Sequence, residues 1–197
     1  MPRSGASRIT ERVTGTLAAL APPGRRASAL VVPVENAPPA LDRLRARHDP
    51  SARQGVPAHV TVLYPFVPAG AIDETLGRGL RDVAAHVEPF PVQLTRAGTF
   101  GPLLYLAPEP AAPFVALTRV ISARWPEHQP YRGRHAETVP HLTVAQRATP
   151  QLRDELDAIV PVDAYARELW LVALDARRRW VVRWRGALGR RAAHEDS

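Results

Sequence analysis

The chain contains no cysteine among its 197 residues. That excludes disulfides, thiolate nucleophiles and Cys-type zinc sites, and it fits a cytoplasmic setting. Metal-ligand spacing is also lacking. Neither His-Glu-x-x-His nor a spaced acidic cluster occurs, and His135-Ala136-Glu137 is too sparse to argue from. No metal or other cofactor is therefore expected. No run approaches the ~18 apolar residues of a membrane span. Leu17-Ala18-Ala19-Leu20 is too short and too poorly placed for a signal peptide. Lysine is absent as well, so all 26 basic side chains are arginine. The net charge of +7 has two readings. One is a GC-rich coding bias; the other is an electropositive surface whose guanidinium forks match phosphate oxygens.

What is present suits one globular domain. We expect a flexible extension over 1–26, a single bilobal domain over 27–188 and a tail over 189–197. A strand is predicted around Ala29–Val34, a helix over Pro38–His48 with Leu41 and Leu44 inward, and a strand from His59 to Tyr64. Ala71–Val87 reads as an amphipathic helix, with Ile72, Leu76, Leu80, Val83 and Val87 at helical spacing. Strands over Phe90–Leu94 and Leu103–Ala107 flank a turn-like Gly98–Pro102. Phe114–Trp125 reads as a helix with Val115, Leu117, Val120 and Ile121 inward. A long loop, Pro126–Val139, precedes the next strand. A helix near Pro150–Ile159 and a hairpin pairing Glu168–Leu174 with Trp180–Arg185 complete the order. Trp180, Val182 and Trp184 alternate, as on one core-facing strand face.

Two segments read almost alike. Val56-Pro57-Ala58-His59-Val60-Thr61-Val62 and Val139-Pro140-His141-Leu142-Thr143-Val144 lie about eighty residues apart. On a strand, alternate side chains share a face. Each histidine therefore points the same way as its threonine, while the aliphatic residues point into a core. Two related lobes would bring the equivalent strands together at a central cleft, one His-Thr pair from each wall. Two imidazoles can supply a base and an acid near neutrality. Threonine hydroxyls can donate to the oxygens of a phosphate on which charge accumulates. This is equipment for metal-free acid–base chemistry on a phosphodiester.

These motifs resemble those of the 2H phosphoesterase superfamily. His59-Val60-Thr61-Val62-Leu63-Tyr64-Pro65-Phe66 is similar to the first motif of 2'-5' RNA ligase family proteins, and Pro140-His141-Leu142-Thr143-Val144 to the second. The resemblance runs from about Ser28 to Gly186. It implies an α+β fold: a bilobal, pseudo-symmetric duplication with antiparallel sheets around a central cleft and helices outside. It implies hydrolysis of 2',3'-cyclic phosphates on RNA ends, with 2'-5' ligation in some members and no metal requirement. His59 and His141 would be the catalytic acid–base pair, and Thr61 and Thr143 the phosphate-binding hydroxyls. Many members carry arginine five residues after the second histidine; here Gln146 stands there and Arg147 follows.

Further candidates are contextual. Tyr131 and Arg134, with Arg132 and His135, lie in the loop before the second motif and would rim the cleft. Phe100 could stack on a base, although a core role suits it better. Tyr64 alternates away from His59 and reads as core. Arg177-Arg178-Arg179 would top the closing hairpin. The expected partners are RNA ends, cyclic nucleotides or 2'-5' oligonucleotides, bound by a monomer without membrane contact. A rival reading is an RNA- or nucleotide-binding protein of the same fold that performs no catalysis.

Overall fold

The computed structural model describes residues 28–130 and 139–189. The segments 1–26 and most of the expected tail, like Tyr131, Arg132, Arg134 and His135, lie outside the described residues. Eight strands form two four-stranded sheets. The first contains β1 (Ser28–Pro33), β2 (His59–Leu63), β7 (Glu168–Leu174) and β8 (Trp180–Ala187), in the order β2-β1-β7-β8. The second contains β3 (Phe90–Phe100), β4 (Leu103–Glu109), β5 (Leu142–Ala145) and β6 (Val162–Ala166), in the order β5-β4-β3-β6. All neighbours pair antiparallel. The fold is thus α+β and bilobal, and its pseudo-symmetry is visible in one detail. Each repeated motif lies on the edge strand of its own sheet, and β2 meets β5 where the sheets join.

One apolar core spans both lobes. Leu30, Val32, Val60 and Val62 enter it from the first sheet, and Leu94, Leu104, Leu142 and Val144 from the second. Helices α1 (Pro39–His48) and α3 (Glu74–Ala84), α4 (Ala112–Arg124) and α5 (Pro150–Asp157) cover the sheets, and α2 (Pro50–Arg53) is one short turn after α1. Their buried faces carry Leu41 and Leu44, then Leu80 and Val83, Leu117 and Ile121, and Leu152 and Leu156. No described helix is long and apolar enough to cross a membrane.

The structure departs from the sequence pattern at particular residues. Helix α3 begins at Glu74 instead of Ala71, because the Asp73 carboxylate accepts from the Leu76 N–H at 2.8 Å and so caps the helix. Val120 is exposed; the inward turn of α4 uses Thr118, whose hydroxyl donates to Val62 O and Phe114 O. Gly98 is no turn residue. It pairs with Tyr105 inside the β3–β4 ladder, where a Cβ would lie 2.5 Å from the Tyr105 ring. The glycine marks a close approach within a strand. Strand β6 and the short α2 had no legible pattern.

The closing hairpin contains a bulge. Leu171 pairs with Trp184 but Val172 pairs with Val182, leaving Arg183 as the extra residue. The bulge reverses the side-chain alternation. Trp180 therefore joins Ala29, Val31, Tyr64 and Val172 on one face of the first sheet, while Trp184 packs on the other against the main core. Val182 is exposed. The Arg177-Arg178-Arg179 run does top the hairpin, where Asp175 accepts from the Arg177 and Arg179 amides.

Candidate active site

The two motifs build twin imidazole mounts. His59 opens β2 and His141 immediately precedes β5. Each is 5% exposed. Nδ1 of His59 donates to Pro57 O at 2.7 Å, and Nδ1 of His141 donates to Val139 O at 2.8 Å. In both cases the acceptor is the carbonyl two residues upstream. A carbonyl can only accept, so Nδ1 of each ring carries a proton and acid–base exchange falls to Nε2. The prolines are offset, Pro57 lying two residues before its histidine and Pro140 one. The shared device is the carbonyl, not the proline ring.

Strand alternation places Thr61 on the face of His59, and Thr143 likewise follows His141 by two. Thr61 is half-buried and Thr143 is buried. The charge of His141 is the smallest of the influences that lower the His59 pKa. Burial is the main reason the His59 pKa is lowered, from 6.5 to about 4. The Arg45 guanidinium adds to this lowering, while the Pro57 carbonyl and Asp49 oppose it. At neutral pH His59 is therefore uncharged, with Nε2 available to accept a proton.

Arg45 belongs to a buried polar knot between the lobes. Its Nε donates to Thr143 O at 3.0 Å, and Nη2 meets Asp49 Oδ2 at 2.7 Å. The Ser51 hydroxyl donates to the same Asp49 oxygen at 2.7 Å, and Asp49 Oδ1 accepts from the Ser51 amide at 2.9 Å. All three residues are at most 1% exposed. A residue from α1 in the first lobe thereby holds the backbone of the second motif.

An aromatic pair flanks His141. Tyr105 lies directly opposite Thr143 in the β4–β5 ladder. Phe100 stacks on Tyr105 with centroids 4.2 Å apart and planes at 18°. Both rings meet His141 edge-on, Phe100 at 5.1 Å and Tyr105 at 5.5 Å. Phe100 is half-buried beside the imidazole, so the core role expected for it is corrected. Tyr64, by contrast, is buried against Trp180 as expected. Arg147 is exposed beyond the end of β5, and no described contact ties it to either histidine. Among the described residues no three His, Asp or Glu side chains gather as metal ligands do.

The family model of the 2'-5' RNA ligase superfamily matches residues 32–178. The chain belongs to this superfamily. A Bacillus cytotoxicus protein named as a candidate phosphoesterase is 30% identical over 109 residues, which cover 53% of this chain and 59% of that protein. The match thus spans less than two thirds of that relative. Two solved structures share the superfamily fold over 84% of this chain. The Thermus thermophilus protein TT0787 matches over 100% of its own chain at 16% identity with a TM-score of 0.55. E. coli LigT complexed with 3'-AMP matches over 99% at 15% identity with a TM-score of 0.53.

Within this superfamily frame, Arg45, Asp49 and Tyr105 are the site neighbours that sequence reasoning missed. Arg45 follows Leu41 and Leu44 at helical spacing, on the face that the pattern reserves for core. An arginine at an apolar position with Asp four residues later was the available signal. Tyr105 was detectable only through its pairing with Gly98, which the turn reading concealed.

Proposed function

We propose that this chain is a 2H-type phosphoesterase acting on 2',3'-cyclic phosphate ends of RNA or nucleotides. The observation that carries the reading is the twin mount: two histidines, each with Nδ1 fixed on the carbonyl two residues upstream, on the facing edge strands of two sheets. The family and fold support phosphoesterase chemistry, and the 3'-AMP complex of E. coli LigT supports a nucleotide ligand.

The lowered pKa of His59 suits the general base. Its Nε2 takes a proton from water as the oxygen attacks phosphorus. His141 acts as the imidazolium: its Nε2 gives up its proton to the departing ribose 3'-oxygen, leaving a 2'-phosphate and a neutral ring. Thr61 and Thr143 hydroxyls donate to the non-bridging oxygens, where negative charge grows. The terminal base stacks on Phe100, which Tyr105 backs. The same proton transfers in the same direction, with the 5'-hydroxyl of a second nucleic-acid end replacing water as nucleophile, would give 2'-5' ligation.

The test is incubation with 2',3'-cyclic nucleotides and short RNAs ending in cyclic phosphate, in chelator, followed by product analysis. We expect 2'-phosphomonoesters from wild type. His59→Ala and His141→Ala should each lower turnover by ~100-fold or more. No phosphomonoester and no ligated product across that panel would refute the enzymatic reading. Nucleotide binding that persists without any turnover would instead establish the binding-protein alternative.

A further inference from the structure

The reaction proposed above uses an edge strand, but the same face of its sheet continues across three more. Residues directly opposite in antiparallel strands share a face. Thr61 pairs with Val31, Val31 with Trp170, and Trp170 with Arg185. One row therefore runs from Thr61 on β2 to Arg185 on β8. By ordinary strand spacing, the Trp170 position lies about 10 Å from that of Thr61 and the Arg185 position about 14 Å.

The two far members of this row are equipped for nucleic acid. Trp170 is half-buried and packs in the cluster that contains the fully buried Val31. Its indole N–H donates to the Glu168 carboxylate at 2.5 Å, which anchors the ring. Arg185 is exposed, with no described ion pair or side-chain hydrogen bond. A held indole followed by an unpaired guanidinium can stack one base and then meet a phosphate. A second arginine group, Arg78, Arg81 and Arg183, lines a cavity of about 640 Å³. Its wall includes Leu171 and Trp184 from the opposite face, and Asp73 and Glu74 offset its charge.

We propose that Trp170 and Arg185 form a subsite for the RNA nucleotides preceding the cyclic phosphate. Trp170 stacks the base next to the terminal one, and Arg185 contacts the phosphate beyond it. The chain then selects oligonucleotide ends over mononucleotides. This assignment rests on the phosphoesterase reading and adds a substrate class to it.

The experiment measures kcat/KM for 2',3'-cyclic AMP and for di- and triadenylates ending in cyclic phosphate, with Kd for the same ladder on His141→Ala. Stacking of the second base should raise kcat/KM from mono- to dinucleotide by ~5-fold or more. Trp170→Leu, which keeps an apolar cover over Val31, should abolish that gain, whereas Trp170→Phe should retain most of it. Arg185→Gln should abolish the gain from di- to trinucleotide and flatten its salt dependence by a slope of about 0.7. A merely structural effect lowers all three substrates alike. Equal kcat/KM along the wild-type ladder, or gains that survive both Trp170→Leu and Arg185→Gln, would overturn the subsite. Should Trp170→Leu fail to fold, Arg185→Gln on the exposed end of the row decides. Absence of turnover on the whole ladder refutes the reaction, and the Kd ladder then judges the subsite alone.

Discussion

Arg45 and Asp49 allow the electrostatics of His59 to be tested by sign. Both are buried, and they form an ion pair at 2.7 Å. Removing either partner leaves an uncompensated buried charge, so Arg45→Met and Asp49→Asn should each destabilise the fold by about 3–5 kcal/mol. Their effects on His59 should nevertheless be opposite. Arg45 lowers the His59 pKa and Asp49 raises it, against a starting value of about 4. The total displacement from 6.5 corresponds to about 3 kcal/mol, most of it from burial. Arg45 comes after burial among the causes that lower it, so its removal should recover only part of the displacement. We expect the acid limb of kcat/KM, and the His59 ring titration followed by NMR, to move up in Arg45→Met. In Asp49→Asn both should move down. The NMR readout does not depend on turnover. Equal stability losses with shifts of the same sign would refute the account, as would a wild-type His59 midpoint near 6.5.

Three other perturbations follow from the same geometry. Because the folded pKa of His59 is depressed, the unfolded chain binds more protons between about pH 6.5 and 4. Stability should fall as pH drops through that window, by about 3 kcal/mol from this group, and denaturant unfolding should show a shallower pH slope in His59→Gln. Thr61→Val and Thr143→Val each remove a hydroxyl while keeping a β-branched shape. Each should cost ~100-fold in kcat, and a drop in affinity with unchanged kcat would assign the hydroxyls to ground-state binding instead. Gly98→Ala puts a methyl 2.5 Å from the Tyr105 ring. Thermal unfolding should report a loss of about 1–3 kcal/mol, relieved in Gly98→Ala/Tyr105→Ala, and unchanged stability would show that the ring yields freely.

The ease of reading this chain followed the range of the interactions involved. His59 and Thr61 were legible because strand alternation is local: two positions on a strand share a face whatever else the chain does. Their duplication around His141 and Thr143 then implied two lobes. Leu41 with Leu44, and Leu80 with Val83, were legible for the same reason at helical spacing. The missed features all depend on another strand or lobe. Gly98 is spared a side chain only because Tyr105, across the hairpin, lies over it. Trp184 changes faces because one residue of β8 has no partner on β7. Arg45 looks like an error in an amphipathic pattern until Thr143, 98 positions away, offers its carbonyl. That long-range bond has a functional sense. The backbone it holds carries the second motif, and the charge that makes it also depresses the first histidine. A single side chain thus couples the position of one motif to the protonation of the other, and a lobe displacement that breaks the bond would alter both together.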